Sequence, residues 1–302
     1  MSIELQMYPG YSNEELNIIR EFAVPDQLPE HGFIKEFIGV RTRNTSVYNA
    51  AAQMHGNSVC GLPIPADFHS EAVEWIGTLK AVRNANQRFA VMELGAGYGT
   101  WSVATAVAAR NRGITDIFAL AVEGDPGHFR TMQDHYRDNG FDPAEHQLLQ
   151  AAVGSEDGKA RWPKVDNSAD VWGLRPQTED GTDYTGGQHS DYLDVEIIAL
   201  NRLLLARDEW NLIHIDVQGM EFDICRSAID RLSERARWVV VGTHSRKIDG
   251  DLLDLFNSAG WLLENEKPTR FTFVPGAASL EAMTQFDGTQ VWRNPRFAKT
   301  ES

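Results

Sequence analysis

The chain of 302 residues contains only two cysteines, Cys60 and Cys225, which lie far apart. Neither has a second thiol or a histidine at the spacing of a metal site, and a secreted disulfide scaffold needs more thiols than this. The shortage of cysteine argues against a cysteine metal site and against a disulfide-stabilised secreted protein, and it favours reduced thiols in the cytoplasm.

Basic residues are also scarce, since 28 lysines and arginines stand against 43 aspartates and glutamates, for a formal net charge of −15. This charge repels nucleic acid and anionic lipid, so neither is an expected partner. No apolar run reaches the ~18 residues that a membrane helix needs, and no signal peptide is predicted at the N-terminus. We therefore predict a globular cytoplasmic protein without membrane contact.

From about residue 88 the chain alternates short β-rich runs with helical patterns, which is typical of a parallel sheet covered by helices. Helices are predicted over 99–111, closed near Gly113, and from Pro126, which suits a first helical turn. Strands are predicted at 88–94, 116–124, 146–154, 210–219, 237–244 and 260–266, with a closing strand at 288–295.

Residues 1–87 have a different character. Ser12 and Glu15 form a capping-box pattern ahead of an apolar helix face, and a second amphipathic helix is predicted over 69–82. We predict two parts, a mostly helical N-terminal cap over 1–87 and a sheet domain over 88–302. The cap either only covers the sheet or also faces the substrate.

A long segment, 155–191, is rich in Gly, Asp, Ser and Thr and is predicted to be irregular with one short strand at most. Loops of this length inside a compact domain are usually functional. We predict that it orders or closes over bound ligand. Trp172, Tyr184 and His189 are candidates for acceptor or adenine contacts, or for simple anchors of the loop.

Three glycines follow the first strand in the stretch VMELGAGYGTWS, residues 91–102. A dinucleotide fingerprint needs a glycine where Thr100 stands, and the Lys-Ser/Thr pair of a phosphate loop is absent. Glu93 would repel a pyrophosphate but attract a cation, so S-adenosylmethionine, with its sulfonium and ammonium groups, fits better. The predicted contacts are Glu93, Gly95, Ala96, Gly97, Tyr98 and Thr100.

Glu123 ends the second strand, where an acid accepts hydrogen bonds from ribose hydroxyls in nucleotide-binding α/β folds. Gly124 beside it, Ala152 in the third strand and Asp216 near the end of the fourth complete the predicted donor contacts. Because NAD enzymes share such an acid, an NAD(P)-dependent oxidoreductase stays open as an alternative, disfavoured by Thr100 and Glu93.

The spacing Glu93-x-Gly95-x-Gly97-x-Gly99 with Glu123 resembles the Rossmann-like class I methyltransferases. LIHIDVQGMEFDI (212–224) is similar to the FkbM family within that class, as are 148–162 and 191–204, and the likeness spans about 88–265. The resemblance implies an open seven-stranded α/β sheet flanked by helices, its last strand antiparallel. It also implies S-adenosylmethionine-dependent O-methylation of a sugar-like compound or secondary metabolite.

One residue departs from the pattern of that family. Gln218 stands where the family usually has a glutamate, whereas Asp216, Gly219 and Glu221 match. A non-catalytic protein that binds S-adenosylmethionine therefore stays open as a second alternative.

Catalysis of methyl transfer rests mainly on positioning, but a hydroxyl acceptor must also lose a proton to a base or metal-bound group. His244, after the fifth strand, is predicted to be this base as a neutral imidazole, with Asp216 orienting it or the donor. For His214 a structural role is favoured, and Glu221 suits a helix cap.

A divalent cation such as magnesium is left open, with Asp216 and Glu221 as its ligands. The expected partner is a small-molecule acceptor. The oligomeric state is open and includes a homo-oligomer.

Overall fold

The computed structural model describes residues 9–177, 190–277, 280 and 283–297. Its helices are α1 Leu16–Phe22, α2 Asn49–His55, α3 Ala72–Arg83, α4 Thr100–Asn111, α5 Pro126–Asp138, α6 Leu200–Leu203, α7 Glu221–Arg235 and α8 Arg246–Ser258. Its strands are β1 Phe33–Lys35, β2 Arg41–Arg43, β3 Arg88–Leu94, β4 Asp116–Glu123, β5 Gln147–Gln150, β6 Ala152–Gly154, β7 Gly158–Pro163, β8 Tyr192–Ala199, β9 Leu212–Ile215, β10 Trp238–Thr243, β11 Leu262–Lys267, β12 Arg270–Phe271, β13 Thr284–Phe286 and β14 Gly288–Arg293.

Seven strands form the central sheet in the order β11-β14-β10-β9-β3-β4-β5. The pairs from β10 through β9, β3 and β4 to β5 are parallel, whereas β14 runs antiparallel between β10 and β11. The predicted Rossmann-like α/β sheet with an antiparallel last strand is therefore confirmed.

Both faces of the sheet are covered, which explains why its strands are continuous apolar runs. Val240 points to the layer of α1, α3 and α4, while Val239 and Val241 point to the layer of α7 and α8. Trp75 of α3 and Trp101 of α4 belong to one core cluster. The first 87 residues thus share a core with the sheet, and the division at residue 87 stays a prediction.

Two local sequence patterns appear at the starts of helices. The Ser12 amide donates to Glu15 at 2.8 Å, and the Glu15 amide donates to the Ser12 hydroxyl at 3.3 Å, so the capping box forms. Asp125 caps α5, with Pro126 in its first turn. Among the described helices, none is both long and apolar enough to cross a membrane.

The third predicted strand, 146–154, divides at Ala151 into β5 and β6. The Ala151 amide still donates to the carbonyl oxygen of Glu123 at 3.0 Å, but β6 then pairs with β8. Strand β7 pairs with β8 as well, which makes a separate three-stranded sheet. In the described part of 155–191, β7 is the one short strand that the composition allowed, and β8 supplies its partner from farther along the chain.

Candidate functional site

The strand order reverses between β3 and β9, and open α/β sheets bind their ligands at the carboxyl ends of such neighbours. A cavity of about 590 Å³ opens at this edge. It is lined by all eleven residues predicted to bind the donor or to act in catalysis: Glu93, Gly95, Ala96, Gly97, Tyr98, Thr100, Glu123, Gly124, Ala152, Asp216 and His244.

The glycine loop after β3 needs its glycines for two reasons. Gly95, Gly97 and Gly99 all have positive φ, at 75°, 54° and 79°. A Cβ on Gly95 would lie 1.8 Å from the carbonyl oxygen of Asp216, and one on Gly97 would lie 2.8 Å from the ring of Trp172. The loop is thus held against the end of β9 with no room for a side chain.

Glu93 is buried and both of its oxygens are bound. They accept hydrogen bonds from the amides of Trp101 at 2.8 Å and Ser102 at 2.9 Å. The carboxyl therefore caps the first turn of α4 from inside the core, and burial raises its pKa. This is a helix-anchoring contact, while an attraction of Glu93 to a cationic ligand stays a prediction.

Glu123 bridges the glycine loop and the start of α5. Its Oε2 accepts from the amide of Gly97 and its Oε1 from the amide of Asp125, both at 2.7 Å. Burial raises the pKa of Glu123 to about 8, although the two amides lower it. Each oxygen keeps a further lone pair, so the carboxyl can still accept from ligand hydroxyls.

His244 lies between two carboxylates and is 1% exposed. Its Nε2 is 3.3 Å from Oδ1 of Asp216, and its Nδ1 is 2.9 Å from Oε1 of Glu221. Burial by itself lowers the pKa of His244, but the carboxylates of Glu221 and Asp216 outweigh it and raise the pKa well above its ordinary value. Its surroundings therefore favour an imidazolium and not the neutral imidazole expected from the sequence.

Asp216 is the member of this group that faces the cavity, with 38% of its side chain exposed. Burial raises the pKa of Asp216, but His244 outweighs it and the net shift is downward. Gln218 Nε2 donates to Asp216 Oδ1 at 3.0 Å. Among the described residues nothing is hydrogen-bonded to Oδ2, so that oxygen is available to a ligand.

The amide of Gln218 thus has a local role that the family's glutamate lacks, because a carboxylate cannot donate this hydrogen bond. The departure from the family pattern adds a donor to Asp216 without adding a charge. It leaves Asp216 in place as the ionised group of the cavity wall.

Asp216, Glu221 and His244 offer ligand atoms that lie within 4.8 Å of one another, which makes them a candidate metal centre. Their geometry does not fit one ion, because the two carboxylates face different ring nitrogens of His244. Glu221, fully buried, also accepts from the amides of Val217 at 3.1 Å and Gly219 at 3.0 Å. This arrangement suits a proton shared among the three groups.

Several polar residues of the cavity wall were not predicted as site residues, and Glu74 and His214 form a pair among them. Glu74 of α3 was not singled out, and a structural role was favoured for His214 of β9. Oε1 of Glu74 is 2.7 Å from Nε2 of His214, whose ring stacks on Trp101 at 5.2 Å between centroids. The sequence signal for Glu74 is weak: an acid between the apolar residues Val73 and Trp75 inside the predicted helix 69–82.

Trp172 lies over the glycine loop and is 39% exposed. Its ring centroid is 4.4 Å from that of His128 and 5.7 Å from that of Tyr98. Tyr184 and His189 lie outside the described residues, so closure of 155–191 over a ligand stays a prediction.

The sequence of the chain is similar to those of known methyltransferases. The sequence profile of the family described as Methyltransferase FkbM domain matches residues 93–263. The chain is 28% identical over 279 residues to a "Putative methyltransferase" from Jannaschia sp. (strain CCS1), over 92% of this chain and 98% of the relative.

Two solved structures have a similar fold at low identity. Precorrin-6y C5,15-methyltransferase from Geobacter metallireducens GS-15 is 12% identical with a TM-score of 0.41, over 75% of this chain and 89% of that chain. A TehB-like SAM-dependent methyltransferase from Corynebacterium glutamicum ATCC 13032 is 13% identical with a TM-score of 0.36, over 72% and 87%. These scores are too low for any conclusion about substrate.

Proposed function

The chain belongs to the FkbM methyltransferase family, and from this membership we propose that it methylates a hydroxyl of a sugar-like compound or secondary metabolite. It is an S-adenosylmethionine-dependent methyltransferase. The observation that carries the proposal is the single cavity that joins the Glu123–glycine-loop pair to the half-exposed carboxylate of Asp216. Family membership also sets aside the NAD(P) oxidoreductase and the non-catalytic binding protein.

The residues of the chain divide the work between holding the donor and handling the acceptor's proton. S-adenosylmethionine supplies, when bound, an activated methyl group. We propose that the glycine loop gives it close backbone approach and that Glu123 accepts from its ribose hydroxyls. The tight contact of Gly95 with Asp216 would keep donor and acceptor side by side.

We propose that Asp216 Oδ2 accepts the proton of the acceptor hydroxyl, since Asp216 is the exposed member of the group. His244 then acts as a positioning residue, because its imidazolium orients Asp216 through Oδ1 and keeps that carboxylate ionised. The roles are exchanged relative to the sequence prediction. The reason is that two carboxylates surround a histidine that has almost no exposure of its own.

The donor assignment predicts selective binding of S-adenosylhomocysteine. Calorimetry should give an affinity in the micromolar range, roughly −8 kcal/mol, with no comparable binding of NADH. Glu123→Ala should weaken binding by about 1.5–3 kcal/mol, because it removes charge-assisted bonds to the ribose. Glu145→Ala, at an exposed carboxylate outside the cavity, is the control and should bind as wild type does. Tight NADH binding without binding of S-adenosylhomocysteine would overturn the assignment.

The raised pKa of Glu123 predicts that binding of S-adenosylhomocysteine strengthens as the pH rises toward about 8. Below that pH the empty site holds a proton on Glu123, whereas ribose hydroxyls favour the ionised form, so binding must release the proton. The limiting slope is about tenfold in affinity per pH unit, and it should level off above the pKa. Titrations of wild type and Glu123→Gln test this, because the variant should lose the slope. A slope that persists in the variant belongs to another group.

A small-molecule acceptor remains the proposed partner, with the cytoplasm as the proposed location. The net charge of −15 supports the proposal that nucleic acid is not a partner. A divalent cation is not part of the proposal, since the Asp216–His244–Glu221 geometry favours a shared proton. Activity is accordingly expected to survive treatment with a chelator.

A further inference from the structure

Part of the cavity wall comes from segments outside the donor-binding loops. We define this acceptor wall by the cavity-lining residues Asp67, His69, Glu71, Glu74, Lys267 and Asp287. Four of them belong to the first 87 residues, so the N-terminal part of the chain supplies much of the surface that an acceptor would meet. Their charges therefore bear on the class of acceptor.

The one ammonium group of the acceptor wall is already paired with a carboxylate, so it is not available to an anionic acceptor. Lys267 is the one lysine or arginine among the described residues that line the cavity. Its ammonium donates to the carboxylate of Glu71 and, at 3.4 Å, to the carbonyl oxygen of Asp287. A phosphate or carboxylate on the acceptor would have to break this ion pair to be bound.

The cavity histidines His69, His214 and His244 do not provide that charge either, because each one lies beside carboxylates. His128, which also lines the cavity, has its Nε2 3.2 Å from the carbonyl oxygen of Val171, and burial lowers its pKa, which favours the neutral form. His69 Nε2 is 3.4 Å from Glu36 and 3.7 Å from Asp67. Burial lowers the pKa of His69, but these two carboxylates outweigh it and raise the pKa to about 9. His214 is paired with Glu74 in the same way.

Negative charge is therefore in excess even when every one of these histidines is protonated. The pKa of Asp287 is raised, first by burial and then by the carboxylates of Asp216, Glu221 and Glu74, although His244 lowers it. Glu36 and Glu221 do not line the cavity, but they pair with His69 and His244, which do. With these two counted and Asp287 left out, six carboxylates lie beside four cations: Glu36, Asp67, Glu71, Glu74, Asp216 and Glu221 against His69, His214, His244 and Lys267.

The pair of Glu74 and His214 is the part of this wall with unused hydrogen-bonding capacity. The Glu74 side chain is 16% exposed, and it accepts from Ser70 as well as from His214. His214 is 1% exposed and lines the cavity, yet its Nδ1 has no hydrogen-bond partner within the described ranges. Buried polar atoms are normally satisfied, so the pair indicates a further polar group in the cavity.

We propose that the acceptor is a hydroxyl compound carrying a protonated amine, and that Glu74 receives its ammonium group. The inference rests on the proposed function, since Asp216 is taken to face the reacting hydroxyl. A shielded carboxylate that only accepts hydrogen bonds prefers an ammonium over a neutral hydroxyl, because a charge-assisted bond is about twice as strong. The same wall rejects phosphorylated and carboxylated acceptors by repulsion.

Three sugars with one ring and different charges test the proposal: D-glucosamine, D-glucose and D-glucuronate. Each is titrated into protein saturated with S-adenosylhomocysteine, near neutral pH, by calorimetry. We expect glucosamine to bind at least about tenfold more tightly than glucose, the scale of one charge-assisted bond, and glucuronate to bind most weakly. Glu74→Gln should remove the preference for glucosamine, whereas Glu74→Asp, which keeps the charge, should retain it.

Glu234→Gln is the matched control, because it removes one exposed carboxylate of α7 that does not line the cavity. Its sugar preference should equal that of wild type. The proposal is overturned if glucosamine binds no more tightly than glucose or glucuronate. It is also overturned if none of the three sugars binds. It is equally overturned if Glu74→Gln keeps the preference. Failure of wild type to bind S-adenosylhomocysteine would instead count against the proposed function.

Discussion

Asp216→Asn is expected to lower the turnover number about 1,000-fold, which is within the usual range for loss of a general base. Asparagine keeps the size of the side chain and a carbonyl oxygen but cannot take up the acceptor's proton. The affinity for S-adenosylhomocysteine should change little, because we propose that the glycine loop and Glu123 hold the donor. The measurement is release of S-adenosylhomocysteine at saturating acceptor, with calorimetry of the same variant.

His244→Ala provides the comparison that separates the two members of the pair. Because His244 is proposed as a positioning residue, His244→Ala should lower the turnover number less than Asp216→Asn does. Loss of the imidazolium should also raise the pKa of Asp216, because it removes the neighbouring positive charge. The pH–rate profile of this variant should therefore shift to higher pH on its acidic limb. Near-normal turnover in Asp216→Asn, with a larger loss in His244→Ala, would return the base to the histidine.

Gly95→Ala is expected to weaken S-adenosylhomocysteine binding by more than about 100-fold and to lower the melting temperature. A Cβ at this position would lie 1.8 Å from the carbonyl oxygen of Asp216, and the residue has a φ of 75°. The left-handed conformation alone costs an alanine roughly 1–2 kcal/mol. The clash with backbone atoms adds to that cost, and the loop can relieve it only by moving away from β9.

Gly113→Ala is a close control, because Gly113 has a φ of 84° and nothing within 4 Å of the added Cβ. It carries the same conformational cost without the clash, so it should lower stability modestly and leave donor binding intact. Thermal unfolding and calorimetry of both variants separate the two contributions. Equal effects of the two substitutions would show that close approach at Gly95 is unimportant.

The part of the cavity formed by the glycine loop and Glu123 could be predicted from the sequence, because its signals are local. Strand β3, its glycines and the acid at the end of β4 are short-range patterns, and parallel strands bring their carboxyl ends to one edge. All eleven predicted residues therefore line the cavity. The capping box at Ser12 and the proline at the start of α5 belong to the same class of local signal.

The protonation state of His244 and the strand pairing after Ala151 could not be predicted, because both depend on contacts between residues distant in sequence. The charge of His244 depends on Asp216 and Glu221 approaching its two nitrogens from another strand end and from a helix. The break at Ala151 depends on a partner strand that begins at Tyr192.

The fold class, the family resemblance and the position of the glycine loop follow from the sequence, because repeated strand–helix patterns and glycine spacing are properties of neighbouring residues. The pairing of charged side chains in the opposite wall of the cavity depends on the tertiary structure. Glu74 reaches His214 across 140 positions of the chain, and no local pattern connects an acid in α3 to a histidine in β9. Packing α3 against the sheet brings the two side chains within 2.7 Å and places negative charge in the wall of the cavity.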